Sequence, residues 1–298
     1  MKHVILGAGA VGGLIGAALA HLGDQVTLLL RPETLAQHSG HLSLDRPSGN
    51  IKASVRLAAT IDEPVDVLWV TVKAHQLVAA LGTTPGAIPA DRSGIAAVVP
   101  LLNGIDHVAL LRSYFDHERV IPGTIAVEAE RAGPDHIIQR SAFARLTLSA
   151  IGERQLQTVA ARLAGIGFSC EFQSDEKTML WSKLAFLAPF ALTSTAADKN
   201  IGEILAEPVW QARLESAVRE ACTAAIADGA VVDQSRILAT LKSLPAAMRS
   251  SMQKDVSAGR MPELDAIGGP IIRAGERHGL ETPTTRELIT EIQGGLKR

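Results

Sequence analysis

Along the first half of the chain, short apolar runs recur with helical stretches between them. His3 to Leu6 reads as a strand, Gly13 to Leu22 as a helix of small residues, and Gln25 to Leu30 as a second strand. Val65 to Val72 and Ile95 to Leu102 are further apolar runs of strand length. These runs are continuous where a half-exposed strand would alternate, which is the pattern of strands buried on both faces of a parallel sheet. Strands alternating with helices predict βαβ units in a doubly wound α/β sheet.

Two features break the alternation. Leu42-Ser43-Leu44 and Ile51 to Val55 flank a turn-rich hexapeptide, Asp45 to Asn50, and predict an inserted hairpin. Ile125 to Glu130, His136 to Arg140 and Arg145 to Ser149 predict antiparallel strands with a turn at Ala132-Gly133-Pro134. A helix over Glu153 to Ala164 and a strand over Phe168 to Phe172 would close this first region. From Asp175 the period becomes helical. Lys177 to Ala197 predicts an apolar helix interrupted at Pro189, where a kink is expected. Pro208 to Asp228, Gln234 to Leu244, Pro262 to His278 and Thr284 to Ile292 are further helices, punctuated by Gly229, Gly279 and Pro283. The expected organisation is an α/β domain over residues 1–173 and an all-α domain over 174–298.

Composition narrows the function classes. Apolar residues make up 47% of the 298 residues and charged residues 20%, as in a globular chain. Aromatic residues are only 3%, so Ala, Val, Leu and Ile must fill the core. A formal net charge of −2 and the absence of a basic tract argue against a nucleic-acid partner. No apolar run reaches the roughly 18 residues of a membrane span. With no secretory leader, a cytoplasmic location and reduced Cys170 and Cys222 are expected. The nine histidines form no set with ligand spacing, so no metal is expected.

Candidate chemistry begins at Gly7-Ala8-Gly9-Ala10-Val11-Gly12, which fits G-x-G-x-x-G between a strand and a helix. The first glycine permits the tight turn, the second admits a pyrophosphate against the backbone, and the third lets helix pack on strand. The helix N-terminus adds N–H donors and a positive dipole end. Dinucleotide binding is therefore expected at residues 7–12. At the end of the second strand stands Arg31, where an NAD site usually carries Asp or Glu. A guanidinium suits a 2′-phosphate, which favours NADPH/NADP; a solvated surface arginine is the competing reading. Thr71-Val72-Lys73-Ala74-His75-Gln76 and Leu102-Asn103-Gly104 follow two other strands, at the carboxyl ends where such sheets bind ligands. Trp181-Ser182-Lys183-Leu184 places a lysine in an apolar helix, either snorkelling to water or functional.

Taken with Ser250-Ser251-Met252-Gln253-Lys254-Asp255 and Pro262-Glu263-Leu264-Asp265, these segments resemble ketopantoate reductases over essentially the whole chain. The resemblance implies an N-terminal Rossmann-type domain, a C-terminal helical domain and an active site in the cleft between them. It implies hydride delivery from NADPH to C2 of 2-dehydropantoate, a small 2-keto acid, giving pantoate for coenzyme A synthesis. By the same resemblance, Lys183 is the general acid and Glu263 the acidic residue that contacts the substrate hydroxyl and the lysine. Ser251 meets the substrate carboxylate, and Asn103 lies near nicotinamide and substrate. Lys73 and Gln76 are cofactor contacts, while His75 between them is structural. A monomer and a homodimer are both compatible with it.

The chain departs from that family at two positions on the lysine helix, where Leu187 and Ala191 replace asparagines. Asn200 stands about one residue out of register with a further substrate asparagine, and Gly268-Gly269 replaces a later Asn-Gly. Ketone reduction is thus a safer expectation than ketopantoate as its substrate. Two competing functions remain at this level. One is a β-hydroxyacid dehydrogenase, which would pair its lysine with an asparagine four residues on. The other is an NADPH-binding paralogue without catalysis, against which the joint retention of Lys183, Glu263, Ser251 and Asn103 speaks.

Overall fold

The computed structural model describes residues 1–82, 88, 92 and 94–296. They fall into two compact units: Met1–Leu102 with His107–Glu176, and Asn103–Asp106 with Lys177–Arg298.

The first unit opens with β1 (Lys2–Leu6), α1 (Ala10–His21), β2 (Gln25–Leu29), β3 (His41–Asp45), β4 (Ile51–Ser54) and β5 (Arg56–Ala58). It continues through β6 (Val65–Val70), α2 (Leu77–Gly82), β7 (Ile95–Pro100) and α3 (His107–Tyr114). It ends with β8 (Gly123–Ala126), β9 (Ala129–Gly133), β10 (His136–Gln139), β11 (Ala144–Ser149), α4 (Glu153–Ala164) and β12 (Phe168–Gln173). The main sheet has the order β5-β2-β1-β6-β7 and is parallel throughout. The chain leaves β1 toward one edge and returns beside it as β6, so β1 and β6 flank the switch point where such sheets bind ligands. Side chains alternate between two cores. Ile5, Leu28, Val67, Trp69 and Val99 face one, and Val4, Leu6, Leu29, Leu68, Val70 and Val98 face the other with Leu77, Leu81 and Leu111. Both faces are covered, which is why the strands read as unbroken apolar runs.

Helix α1 is buried almost all round, from Gly12 to Leu19. A helix apolar on every side must be enclosed, and this one contacts β1 and β2 as well as β3, β4, β9 and β10 of a second sheet. Small residues make the double packing possible: a Cβ on Gly13 would stand 2.5 Å from the Ile137 side chain of β10.

The predicted hairpin is present, with Leu44 opposite Ile51 and His41 opposite Ser54. The later antiparallel group is organised differently from the expectation. The apolar run at Ile125 to Glu130 is two strands in two sheets. Strands β9 and β10 form the expected antiparallel pair, but β10 then joins β3 in parallel. Strand β11 does not neighbour β10; it pairs β8 antiparallel and β12 parallel. The chain changes sheets at Val127-Glu128, where the Glu128 carbonyl accepts from the Arg140 N–H at 2.7 Å.

The second unit holds α5 (Glu176–Ala197), α6 (Ile201–Ala206), α7 (Pro208–Ala227), α8 (Gln234–Lys242), α9 (Ser251–Ser257), α10 (Leu264–His278) and α11 (Pro283–Leu296). The interruption expected at Pro189 does not occur, and α5 continues through it. Proline costs a helix one hydrogen bond, but Ala188, Phe190, Ala191 and Leu192 around it are all buried in the core of this unit. Tertiary burial outweighs the local defect. The core is finished by Trp181, whose indole Nε1 donates to Asp228 at 3.0 Å, and by Glu220 of α7, whose carboxylate accepts from the Thr284 and Thr285 N–H groups at the start of α11. Among the described residues no helix is long and apolar enough to cross a membrane, and no group of three or more His, Cys, Asp or Glu could hold a metal. Cys222 is buried and Cys170 partly so; burial pushes both thiols up to about 11, leaving little thiolate at neutral pH.

Candidate functional site

In the first unit the candidate residues stand at the carboxyl ends of the neighbouring strands β2, β1 and β6. Gly7 leaves β1 with φ +106°, and a Cβ there would lie 2.6 Å from the Val72 nitrogen. Gly12, already inside α1, has no room either: a Cβ would fall on the Gly7 carbonyl oxygen and 2.5 Å from Thr71 Oγ1. Gly9 differs, with no atom within 4 Å of the place a Cβ would take. The two outer glycines thus let helix and strand meet, and the middle one leaves its face open. The open face, followed by the N-terminal turn of a 12-residue helix, suits a phosphate group. Ala8, Ala10 and Val11 complete the turn, Ala10 and Val11 as the first residues of α1.

Thr71 is a residue whose role the sequence left unassigned. Its hydroxyl donates to the Gly7 carbonyl at 2.7 Å and to that of Leu6 at 3.2 Å. Strand β6 stops at Val70, short of the predicted Val72, although the Thr71 N–H still donates to the Leu6 carbonyl at 2.8 Å. Lys73 and Gln76 follow in a short 3-10 turn, in which the Gln76 N–H donates to the Lys73 carbonyl at 2.8 Å. The Gln76 side chain is exposed and Lys73 is half-buried. Arg31 lies just past β2, 75% exposed, with its guanidinium 3.5 Å from Glu33. Its carbonyl receives the Thr34 N–H and hydroxyl, both at 2.9 Å, which fixes the backbone where the side chain departs.

In the second unit, Asn103 and Glu263 meet although 160 residues separate them, and the Glu263 charge acts on Lys183. Gly104 makes this possible. Its φ is +83°, and a Cβ would run into the Ala266 carbonyl of α10, so residues 103–106 pack closely on that helix. Arg273 of α10 reinforces the contact, donating through Nε to Asp106 at 3.1 Å and through Nη1 to Asp265 at 2.7 Å. Glu263 precedes the first turn of α10 but makes no side-chain cap to it. Its carboxylate instead accepts from Asn103 Nδ2 at 3.2 Å. Lys183, on α5, is half-buried. Burial lowers its amine from the usual 10.5 to about 8, and the Glu263 charge opposes that by favouring the ammonium. An amine so placed can hold a proton near neutral pH and release it readily.

Ser251 is exposed at the first position of α9. Its neighbour Ser250 is the cap, accepting from the Gln253 N–H at 3.1 Å and from Ser194 Oγ at 2.8 Å. The structural duty of the Ser-Ser pair therefore falls on Ser250 and leaves the Ser251 side chain at the surface. Asn200 has a local role. Its side chain accepts from the Glu203 N–H at 2.9 Å, Glu203 accepts from the Asn200 N–H at 2.8 Å, and together they cap α6.

Comparison with known proteins places the chain in a family. The ketopantoate reductase PanE/ApbA family matches residues 3–153, and its C-terminal region matches residues 175–295. A 2-dehydropantoate 2-reductase of Caulobacter vibrioides is 30% identical, with 96% of each chain covered. The structure of a PanE/ApbA family ketopantoate reductase from Ralstonia eutropha superposes with a TM-score of 0.86 at 25% identity, covering 98% of this chain and 97% of that one. A D-mandelate dehydrogenase, solved with NADH and anilino(oxo)acetate, shares the fold with a TM-score of 0.88 at 23% identity over 100% and 99% of the two chains. The chain belongs to the ketopantoate reductase PanE/ApbA family.

Proposed function

We propose that the chain reduces a small 2-keto acid to the 2-hydroxy acid with NADPH, using Lys183 as the general acid. The observation that carries this reading is the half-buried Lys183, its amine lowered to about 8, within reach of the charge of Glu263, which Asn103 holds, in a chain that also bears an open glycine turn at β1–α1. The names of the relatives support the reaction class: 2-dehydropantoate 2-reductase for the Caulobacter protein, and a dehydrogenase bound to NADH for the mandelate enzyme.

A nicotinamide cofactor, when bound, supplies the hydride for C2. Gly7 to Gly12 would hold its pyrophosphate, Lys73 and Gln76 would contact it nearby, and Arg31 would select the 2′-phosphate. The chain's own residues manage the charge and the proton. As C2 is reduced, negative charge gathers on the keto oxygen. An ammonium at Lys183 stabilises that charge more than it stabilises the neutral ketone, and then gives up its proton. Glu263 keeps the amine charged until that moment, Asn103 holds Glu263 in place and faces the substrate, and Ser251 donates to the substrate carboxylate. A panel of 2-keto acids assayed by loss of NADPH absorbance tests the reading. Turnover of at least one acid is expected, and none with any member contradicts it.

Three further outcomes follow. The amine must be protonated to act, so kcat/KM for reduction should fall as pH rises through about 8. Glu263→Gln removes the charge that raises the amine's pKa, so the falling limb should move to lower pH; an unmoved limb would separate Glu263 from Lys183. Arg31→Ala should raise the KM for NADPH by about 10- to 100-fold, from lost charge-assisted bonds, and leave that for NADH within about twofold. Equal losses with both cofactors would remove Arg31 from the selection.

A further inference from the structure

The segment that carries Arg31 is a surface excursion between β2 and β3. It leaves the sheet at Leu30, whose N–H donates to the Ala58 carbonyl at 2.8 Å. It then forms a 3-10 turn over Pro32–Gln37 with no buried residue, although Leu35 packs partly against the core. The far end of the segment is tied to a residue remote in sequence, Asp135, in the turn between β9 and β10. Asp135 Oδ1 is 2.7 Å from His38 Nδ1, and Oδ2 accepts from the Ser39 N–H at 2.6 Å and the Ser39 hydroxyl at 2.7 Å. The His38 side chain is 2% exposed and that of Asp135 20%. Burial opposes ionisation of Asp135, but the bonds from Ser39 and His38 outweigh it and hold the carboxyl below its usual range. The Asp135 carbonyl accepts from the Ser43 N–H at 2.8 Å, which fixes the anchor itself to β3. A second His–Asp pair, His136 with Asp45 at 2.7 Å, joins the same strands β10 and β3 but involves no residue of the excursion.

We propose that Asp135 is a positioning residue for cofactor selection: by fastening His38 and Ser39 it holds the turn from which Arg31 reaches a 2′-phosphate. The inference rests on the role of Arg31 in the function proposed above and extends it to a residue outside the cofactor contacts. The Arg31 side chain is 75% exposed. Its bonds to a phosphate add affinity only after the cost of ordering the side chain and the backbone beneath it. With the segment fastened, the backbone part of that cost is met on folding. With it loose, the cost falls on NADPH binding. NADH carries no 2′-phosphate and should be indifferent.

The test measures Kd for NADPH and for NADH by fluorescence titration of the full chain, which requires no keto acid. Asp135→Ala should raise the NADPH Kd by about 5- to 10-fold and leave that of NADH within about twofold. In an Arg31→Ala background the same substitution should change the NADPH Kd by less than about twofold, because its effect passes through Arg31. Asp45→Ala, which breaks the other His–Asp pair, should leave both constants within about twofold. Melting temperatures establish that each variant is folded. If the alanine variant is not, Asp135→Asn, which keeps the size and one carbonyl acceptor, takes its place with a selective loss of about threefold. An unchanged NADPH Kd, equal losses with both cofactors, or a full loss in the Arg31→Ala background overturns the inference. A selective loss of the same size in Asp45→Ala overturns it too, since any loosening of this sheet would then suffice. Equal losses with both cofactors in Arg31→Ala remove the role of Arg31 and the inference together, whereas a selective Arg31→Ala beside an unselective Asp135→Ala removes the inference alone.

Discussion

Replacement of Lys183 by alanine is expected to lower kcat for keto-acid reduction by about 10²- to 10⁴-fold, the usual contribution of a positioned general acid. That corresponds to about 3–5 kcal/mol of transition-state stabilisation. Cofactor affinity should stay within about twofold, because Lys183 belongs to the helical unit and the glycine turn to the other. Stability should hardly suffer: removing a desolvated amine relieves a cost that its lowered pKa of about 8 records. Lys183→Arg divides the two roles of the ammonium. A guanidinium keeps the positive charge but does not release a proton in this range, so the variant should remain slow and lose the fall in rate near pH 8. The comparison is made by steady-state NADPH consumption and by fluorescence titration of the cofactor.

The second large effect lies in the glycine turn, where two substitutions of the same size should have opposite consequences. Gly12→Ala puts a methyl group onto the Gly7 carbonyl oxygen and against Thr71 and Ile5. Neither backbone nor buried strand can yield easily, and overpacking of this kind costs about 1–3 kcal/mol or more. The variant should melt several degrees lower and bind NADPH poorly. Gly9→Ala puts its methyl group into open space. The melting temperature should be unchanged or slightly raised, since alanine restricts the unfolded chain more than glycine does. NADPH affinity should nevertheless fall at least tenfold if, as proposed, this open face receives the cofactor's phosphates. Thermal melts with and without cofactor read both effects. Unaltered NADPH binding in Gly9→Ala would contradict this assignment of the turn.

The doubly wound sheet was legible because its strands are buried on both faces and so appear as uninterrupted apolar runs. The glycine turn was legible because tight turn, open face and close packing each require glycine at a fixed spacing. The division of Ile125 to Glu130 between two sheets was not. A switch of partner depends on which strand is adjacent, β11 for the first segment and β10 for the second, and local periodicity carries no such information. The same holds for α1. Its small residues were visible, but a sheet on each side of it is a nonlocal fact. The capping of α6 by Asn200 could have been read from the Asn200-x-x-Glu203 spacing. The meeting of Asn103 with Glu263 could not be reached from spacing and came only through family likeness. It depends on Gly104 packing on α10, a contact that no local pattern announces.

The central claim is that the Lys183 ammonium donates to the oxygen of the ketone being reduced. A crystal structure with NADP⁺ and oxamate, a non-reducible keto-acid analogue, measures this directly. The account predicts Lys183 Nζ within about 2.7–3.2 Å of the analogue's carbonyl oxygen. An ordered analogue lying beyond about 6 Å from Nζ, with some other side chain donating to that oxygen, would contradict it.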